Sequence, residues 1–161
     1  EVVPLTGSET APELYDTLGR RGAELLTTVL PQIMNGALSA TPQTEASATY
    51  CQLINKQDGA IDWRKPAVQI EREIRAYLGW PGSRTSLGSI DAIITRASVD
   101  PAHMPASTTP GAATLVAADG GATKLLVSAA DAWLSIEQLK PVGKKEMPVQ
   151  AFLAGYKDKL N

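Results

Sequence analysis

The sequence is poor in the residues that most often carry chemistry. It has one cysteine, one histidine and one phenylalanine in 161 residues, and aromatic side chains make up 5% of it. A single cysteine excludes an internal disulfide framework and any multi-cysteine zinc site. A single histidine leaves no basis for a His-based metal centre within the chain. So few aromatics argue against a broad base-stacking platform. No uncharged apolar run approaches the roughly 18 residues of a membrane span. The first residues also lack the pattern of a secretory signal.

What is present suffices for a packed core. Hydrophobic residues are 43% of the chain and charged residues 20%, a composition that excludes disorder on average. The length suits one ordinary domain or two small ones. The formal net charge of −2 conceals an asymmetry. Residues 1–50 carry six acids and two bases, whereas residues 51–161 carry 13 bases and 11 acids. The stretch 140–161 is locally basic, with Lys140, Lys144, Lys145, Lys157 and Lys159 against Glu146 and Asp158. Such an imbalance fits an ordinary solvated surface and also raises the case for a polyanion-facing one.

Apolar residues at helical spacing, Leu14, Leu18, Leu25, Leu26, Val29, Leu30 and Ile33, predict helix within the first 40 residues. Ser8 or Thr10 can cap its start and Asn35-Gly36 its end. Gly19 and Gly22 weaken the middle, and Pro31 predicts a kink. This piece has one apolar stripe and nothing of its own to pack it against, so the stripe is expected to be exposed or covered by a neighbour. Residues 37–50 are small and polar and read as a connector. A second helix is expected after Pro66, with Val68, Ile70, Ile74, Ala76, Tyr77 and Leu78 on its apolar face, ending at Gly79-Trp80-Pro81-Gly82.

From Arg84 the period becomes that of strands. A Gly88-Ser89 turn joins two of them, and Ala112–Ala117, Thr123–Ser128 and Trp133–Leu139 follow around Asp119-Gly120-Gly121. Five short strands in so few residues predict a small barrel of the OB type. A closing helix over 148–157 would turn Val149, Phe152 and Leu153 inward.

No phosphate-loop motif, strand-flanked Gly-x-Gly-x-x-Gly or Gly-x-Ser-x-Gly elbow occurs. His103 stands alone in a Pro-flanked loop and reads as an exposed loop residue, while Cys51 reads as a buried or half-buried thiol. Trp63 and Trp80 adjoin apolar helix residues, which predicts packing in the core or at a domain junction. Trp133 faces either the core or solvent.

Three ordered strings carry a resemblance. They are Asp58-Gly59-Ala60-Ile61-Asp62-Trp63, then Ile74-Arg75-Ala76-Tyr77 leading to Trp80-Pro81-Gly82, then Leu139-Lys140-Pro141-Val142-Gly143-Lys144-Lys145-Glu146-Met147. With the helix around Leu14–Leu26, their order and spacing resemble the C-terminal half of the methionyl-tRNA formyltransferase family. The resemblance covers nearly the whole chain. It implies an α+β fold: a helical tail of a Rossmann-like formyltransferase domain (1–38), a linker (39–56), then a helix plus a small five-stranded OB-like β-barrel that binds tRNA (57–161). The whole enzyme would transfer formyl from 10-formyltetrahydrofolate to the amino group of methionyl initiator tRNA in translation initiation.

The family's Asn-x-His pair, its downstream Asp and its Ser-Leu-Leu-Pro stretch do not occur here. The chain alone is therefore expected to be catalytically silent and to bind no folate or metal. The expected partners are initiator tRNA and a preceding catalytic domain, in a cytoplasmic or organelle-matrix monomer with no membrane association. Lys56, Arg64, Lys65, Arg72, Arg75, Lys140, Lys144, Lys145 and Lys157 are the expected tRNA contacts. Arg72 and Arg75 share a helix face, with Glu71 and Glu73 expected to point elsewhere. Gly143 allows close approach of backbone to a phosphate, and the paired lysines supply point charges. Two other readings are the barrel of a sugar-nucleotide or formyl-folate-hydrolysing formyltransferase, and a structural barrel that binds no RNA.

Overall fold

The structure is a computed structural model that describes residues 1–100 and 109–160. His103 and most of the expected 100–110 loop lie outside the described residues. The chain divides into two compact units, Glu1–Ile54 and Asn55–Asn161.

The first unit is built on one helix, α1 (Ala11–Met34). The Glu13 carboxylate fastens its start by accepting from both the N–H and the hydroxyl of Thr10, each at 2.8 Å. Gly19, Gly22 and Pro31 all lie inside it without dividing it. None of its residues is buried, and Leu18, Leu25, Leu26, Leu30 and Ile33 are exposed along its length, as the lone apolar stripe predicts. After Asn35 the rest of this unit has no regular element but a short turn at Glu45–Ser47, and Cys51 is exposed rather than buried. Its apolar neighbours Tyr50, Leu53 and Ile54 are exposed as well, so no packed cluster forms around the thiol.

The second unit is a sheet with two helices packed on one face, and on the other face Leu126, Ser128, Trp133 and Asp100 are buried as well. Its elements run α2 (Ala67–Ala76), β1 (Ser83–Leu87), β2 (Ile90–Asp100), β3 (Ala113–Ala117), β4 (Thr123–Ser128), β5 (Trp133–Pro141), β6 (Met147–Pro148) and α3 (Val149–Tyr156). All pairings are antiparallel, in the order β1-β2-β5-β4-β3, and the short β6 adds to β5. The β1–β2 hairpin turns at Gly88, which takes a left-handed φ of +58°.

Helix α2 buries Ala67, Ile70 and Ile74, the i, i+3, i+7 stripe, against β2. Each isoleucine so buried contributes about 1.5–3 kcal/mol relative to exposure. Val68, on the next face of the helix, is exposed. The first turn of α2 is held by the Asp131 carboxylate, which accepts from Ala67 N–H at 2.8 Å. Helix α3 buries Val149, Phe152 and Leu153 in the same core as Leu125, Val127, Leu134, Ile136 and Leu139.

The expected closed five-stranded barrel is not what forms. The sheet has six strands and remains open, because no ladder joins β3 to β1 among the described residues. Two contacts account for this. The outer edge of β1 is occupied by the segment before α2, where Ile61 N–H donates to the Arg84 carbonyl at 2.9 Å and Ala60 bridges Arg84. Helices α2 and α3 cover the face that carries Leu125, Val127, Leu134 and Ile136, so that face is buried without closure of the sheet.

The three tryptophans part company. Trp133 is buried, and Trp63 is half-buried with its indole N–H donating to Thr85 Oγ1 at 2.9 Å. Of the two positions expected for Trp80, core or domain junction, the core is excluded, since its residue is 62% exposed. The turn around it closes through Gly82 N–H to the Tyr77 carbonyl, and the buried Pro81 and Gly82, not the indole, pack inward.

Candidate nucleic-acid interface

Strand register decides which basic residues share a surface. In β1 the alternation puts Ser83, Thr85 and Leu87 toward the helices and Arg84 and Ser86 outward. Arg84 pairs with Ile93, and Ile93 pairs with Lys140. Directly opposed residues project from the same face, so Arg84, Ile93 and Lys140 form a row across three strands on the face away from the helices. Two interstrand steps separate the two cations, about 10 Å.

Lys140 stands at the last outward position of β5 before the turn carrying Lys144 and Lys145. That turn is closed by Lys144 N–H to the Pro141 carbonyl at 3.0 Å. Gly143 takes a φ of +75°, and nothing lies within 4 Å of where its Cβ would stand. Its backbone is therefore open to a bulky oxyanion, and a side chain there would meet conformational strain. The turn is fixed against the β1–β2 hairpin by Val142 N–H to the Asp91 carbonyl at 2.9 Å. On the hairpin's other strand connection, Ser89 N–H donates to the Lys159 carbonyl at 3.2 Å. The hairpin turn thus sits beside both the Lys144–Lys145 turn and the C-terminal segment that carries Lys157.

At the opposite end of β1, the Arg84 guanidinium donates to the Lys56 carbonyl. Lys56 opens a short turn, Lys56–Gly59, capped by Asn55 Oδ1 accepting from Gln57 N–H at 2.9 Å. Lys56, Arg84, Lys140, Lys144, Lys145 and Lys157 are all outside the ion pairs formed among the described residues. Exposed carboxylates interrupt this surface: Asp58 in the Lys56 turn, Glu146 beside Lys145, Asp158 beside Lys157, and Asp91 at the hairpin. Asp91 is exposed opposite Ser86, whose hydroxyl donates to it at 2.6 Å.

The cations around α2 behave differently. Arg75 donates to both oxygens of Glu71, at 2.7 and 3.0 Å, and Lys65 binds both oxygens of Glu73, at 2.7 and 3.0 Å. Glu71 and Glu73 therefore do not point away, as their helix positions suggested; each is held against a base. Arg64 is paired with Asp62 at 2.8 Å on an exposed surface. Hydrogen bonds from Arg64 lower the Asp62 pKa to about 2, and Glu73 raises that of Lys65. Arg72 alone of this group is exposed and outside any described ion pair.

The structure thus groups six cations along β1, its hairpin turn and the end of β5. Five come from the sequence-based set: Lys56, Lys140, Lys144, Lys145 and Lys157. The sixth, Arg84, was missed. Its signal was available in the Ser83-Arg84-Thr85-Ser86-Leu87 alternation, which puts the arginine on the outward positions. A groove of about 380 Å³ elsewhere on the sheet is lined in part by Ser98, Asp100, Lys124, Ser135 and Glu137. Lys124 is engaged there with the buried Asp100 at 3.0 Å. Among the described residues no cluster of three or more His, Cys, Asp or Glu side chains is placed to hold a metal ion, and no helix is long and apolar enough to cross a membrane.

Residues 53–157 match the family "Formyl transferase, C-terminal domain", which takes in the sheet, both covering helices and the basic surface. The chain belongs to this family. Its relatives include methionyl-tRNA formyltransferases from Paraburkholderia phymatum, 35% identical over 94% of this chain and 45% of the relative, and Chloroflexus aurantiacus, 36% identical over 96% and 48%. A third, from Herpetosiphon aurantiacus, is 37% identical over 98% of this chain and 49% of the relative. The chain therefore spans about half the length of the curated relatives it matches. The fold is also that of a segment of HypX from Aquifex aeolicus, with a TM-score of 0.68 at 15% identity over 97% of this chain and 28% of HypX. HypX has also been solved in complex with tetrahydrofolic acid, and that structure matches with a TM-score of 0.63 at 15% identity over 96% of this chain and 26% of HypX.

Proposed function

We propose that this chain is the tRNA-holding portion of a methionyl-tRNA formyltransferase. In this reading the outer surface formed by β1, its hairpin turn and the end of β5 grips the sugar–phosphate backbone of initiator tRNA. Formyl transfer from 10-formyltetrahydrofolate to the methionyl amino group is the work of the half of the relatives that this chain does not match. The observation that carries the proposal is the gathering of Lys56, Arg84, Lys140, Lys144, Lys145 and Lys157 along one strand and its hairpin, outside the described ion pairs.

The chemistry follows from that arrangement. Lysines on a turn and a strand end are point charges suited to phosphate oxygens, and they release counterions when they bind. The lysines present no paired donors and acceptors for base edges, and Arg84 turns its guanidinium to the Lys56 carbonyl, so the row supplies position and affinity, with little sequence preference. The A-form stems of tRNA are recognised largely in this way, through backbone and shape.

Titrating the chain with initiator tRNA at two salt concentrations tests the reading. A dissociation constant that rises steeply between low and moderate salt is the expected result. Equal, weak binding at both would overturn it and leave the fold as a brace within a formyltransferase.

A further inference from the structure

Trp80 is the residue the fold leaves unexplained. Both residues after it are buried: a Cβ built on Gly59 would lie 3.1 Å from Pro81 Cγ and 2.3 Å from the Gly82 carbonyl, so the Lys56–Gly59 turn rests directly on this backbone. Gly82, at a φ of +78°, lies over Ile93, with 3.3 Å between its Cβ position and Ile93 Cγ2. The segment is thus anchored from both sides, yet the tryptophan it carries is 62% exposed. A lone exposed leucine or valine is ordinary on a protein surface, but a tryptophan forfeits far more by staying in water.

Its surroundings give the exposure a meaning. Two residues beyond Gly82, Arg84 reaches back to the Lys56 carbonyl, so two cations belong to the same anchored segment. Neither forms an ion pair with a carboxylate among the described residues. Ile93 lies between Arg84 and Lys140 in the outward row. A flat aromatic face on a segment that also carries cations outside the described ion pairs is complementary to a base attached to phosphates. It is ill suited to an apolar protein partner, which would have to desolvate those cations.

We infer that Trp80 stacks on an unpaired base of the bound RNA, at the end of the phosphate track that runs along β1 from the Lys144–Lys145 turn. This rests on the tRNA-binding reading and adds to it a contact that depends on strand pairing and not on charge. A paired stem offers no free base face, so the contact selects a loop, a bulge or a single-stranded end. Every base has such a face, so the contact is tolerant of sequence.

Tryptophan emission of the full chain tests this, titrated with initiator tRNA and, separately, with a blunt RNA duplex. Trp133 is buried and Trp63 half-buried, so quenching from stacking falls on Trp80. The inference expects quenching by tRNA, little by the duplex, and none of the Trp80 component in Trp80→Phe. Trp80→Ala should weaken tRNA binding about tenfold with the slope against salt unchanged, and Trp80→Phe should recover most of that loss. If tRNA binds with a steep salt dependence while Trp80 emission and the affinity of Trp80→Ala are unchanged, stacking is overturned and the phosphate grip stands. If tRNA does not bind with salt dependence at all, the grip and the stacking contact both fail.

Discussion

The Arg75 guanidinium lies against both carboxylate oxygens of Glu71, one helical turn back, at 2.7 and 3.0 Å. The cation that helix spacing offers as a phosphate ligand is therefore already matched by an anion. Arg75→Ala is expected to leave tRNA affinity within about twofold of the original. It should cost about 0.5 kcal/mol of stability, the ordinary worth of such a pair. Parallel binding and denaturant titrations would separate the two effects. A large loss of affinity would move the RNA surface onto α2.

Asp91 works against the row of cations. It is exposed at the hairpin, opposite Ser86, beside the backbone contact that anchors the lysine turn. Asp91→Asn keeps the size of the side chain and removes its charge. Affinity for tRNA should rise about two- to fivefold at low salt, and the gain should shrink as salt screens it. A gain independent of salt, or no gain, would place the nucleic acid elsewhere.

Much of this fold was legible from pattern alone. The stripe Ile70–Ile74, the Gly88-Ser89 turn, the strand Thr123–Ser128 and the inward triplet Val149, Phe152 and Leu153 are local or periodic features, and each stands where the sequence puts it. Closure was not legible, because it depends on what meets the far edge of β1. That partner is Ile61, more than twenty residues earlier and outside any strand pattern. For the same reason, the sequence offered Arg72 and Arg75 as equivalent cations. Which of them is neutralised depends on the rotamer that brings Glu71 back along the helix. Arg84 became visible as part of the surface only through its register with Ile93 and Lys140.

The Asp62–Arg64 pair has a pH signature. Hydrogen bonds from Arg64 hold the Asp62 carboxyl at about 2, below its ordinary 3.8. A depressed carboxylate contributes its interaction fully above the ordinary value and loses it as pH falls toward about 2. An NMR titration should find Asp62 ionised at pH 3, and Arg64→Ala should return its midpoint toward 3.8. An ordinary midpoint in the unaltered chain would show the pair to be open in solution.

Gly59 couples the Lys56 turn to the Trp80 segment. A Cβ there would meet the Gly82 carbonyl at 2.3 Å, and backbone cannot swing away as a side chain would. Gly59→Ala should destabilise the second unit by about 1–3 kcal/mol and disturb Trp80 emission. Thermal unfolding followed by fluorescence reads both. A neutral outcome in both would mean that the Lys56–Gly59 turn does not rest on Pro81 and Gly82.

If this face holds RNA through phosphates at the end of β5, Lys144→Ala/Lys145→Ala must loosen that hold. Both side chains are exposed and outside the described ion pairs, so the fold should be undisturbed. The logarithm of the tRNA binding constant is measured against the logarithm of salt concentration for both proteins. The variant should bind more weakly, with a slope shallower by about 1 for each lysine removed. An unchanged affinity and slope would contradict it.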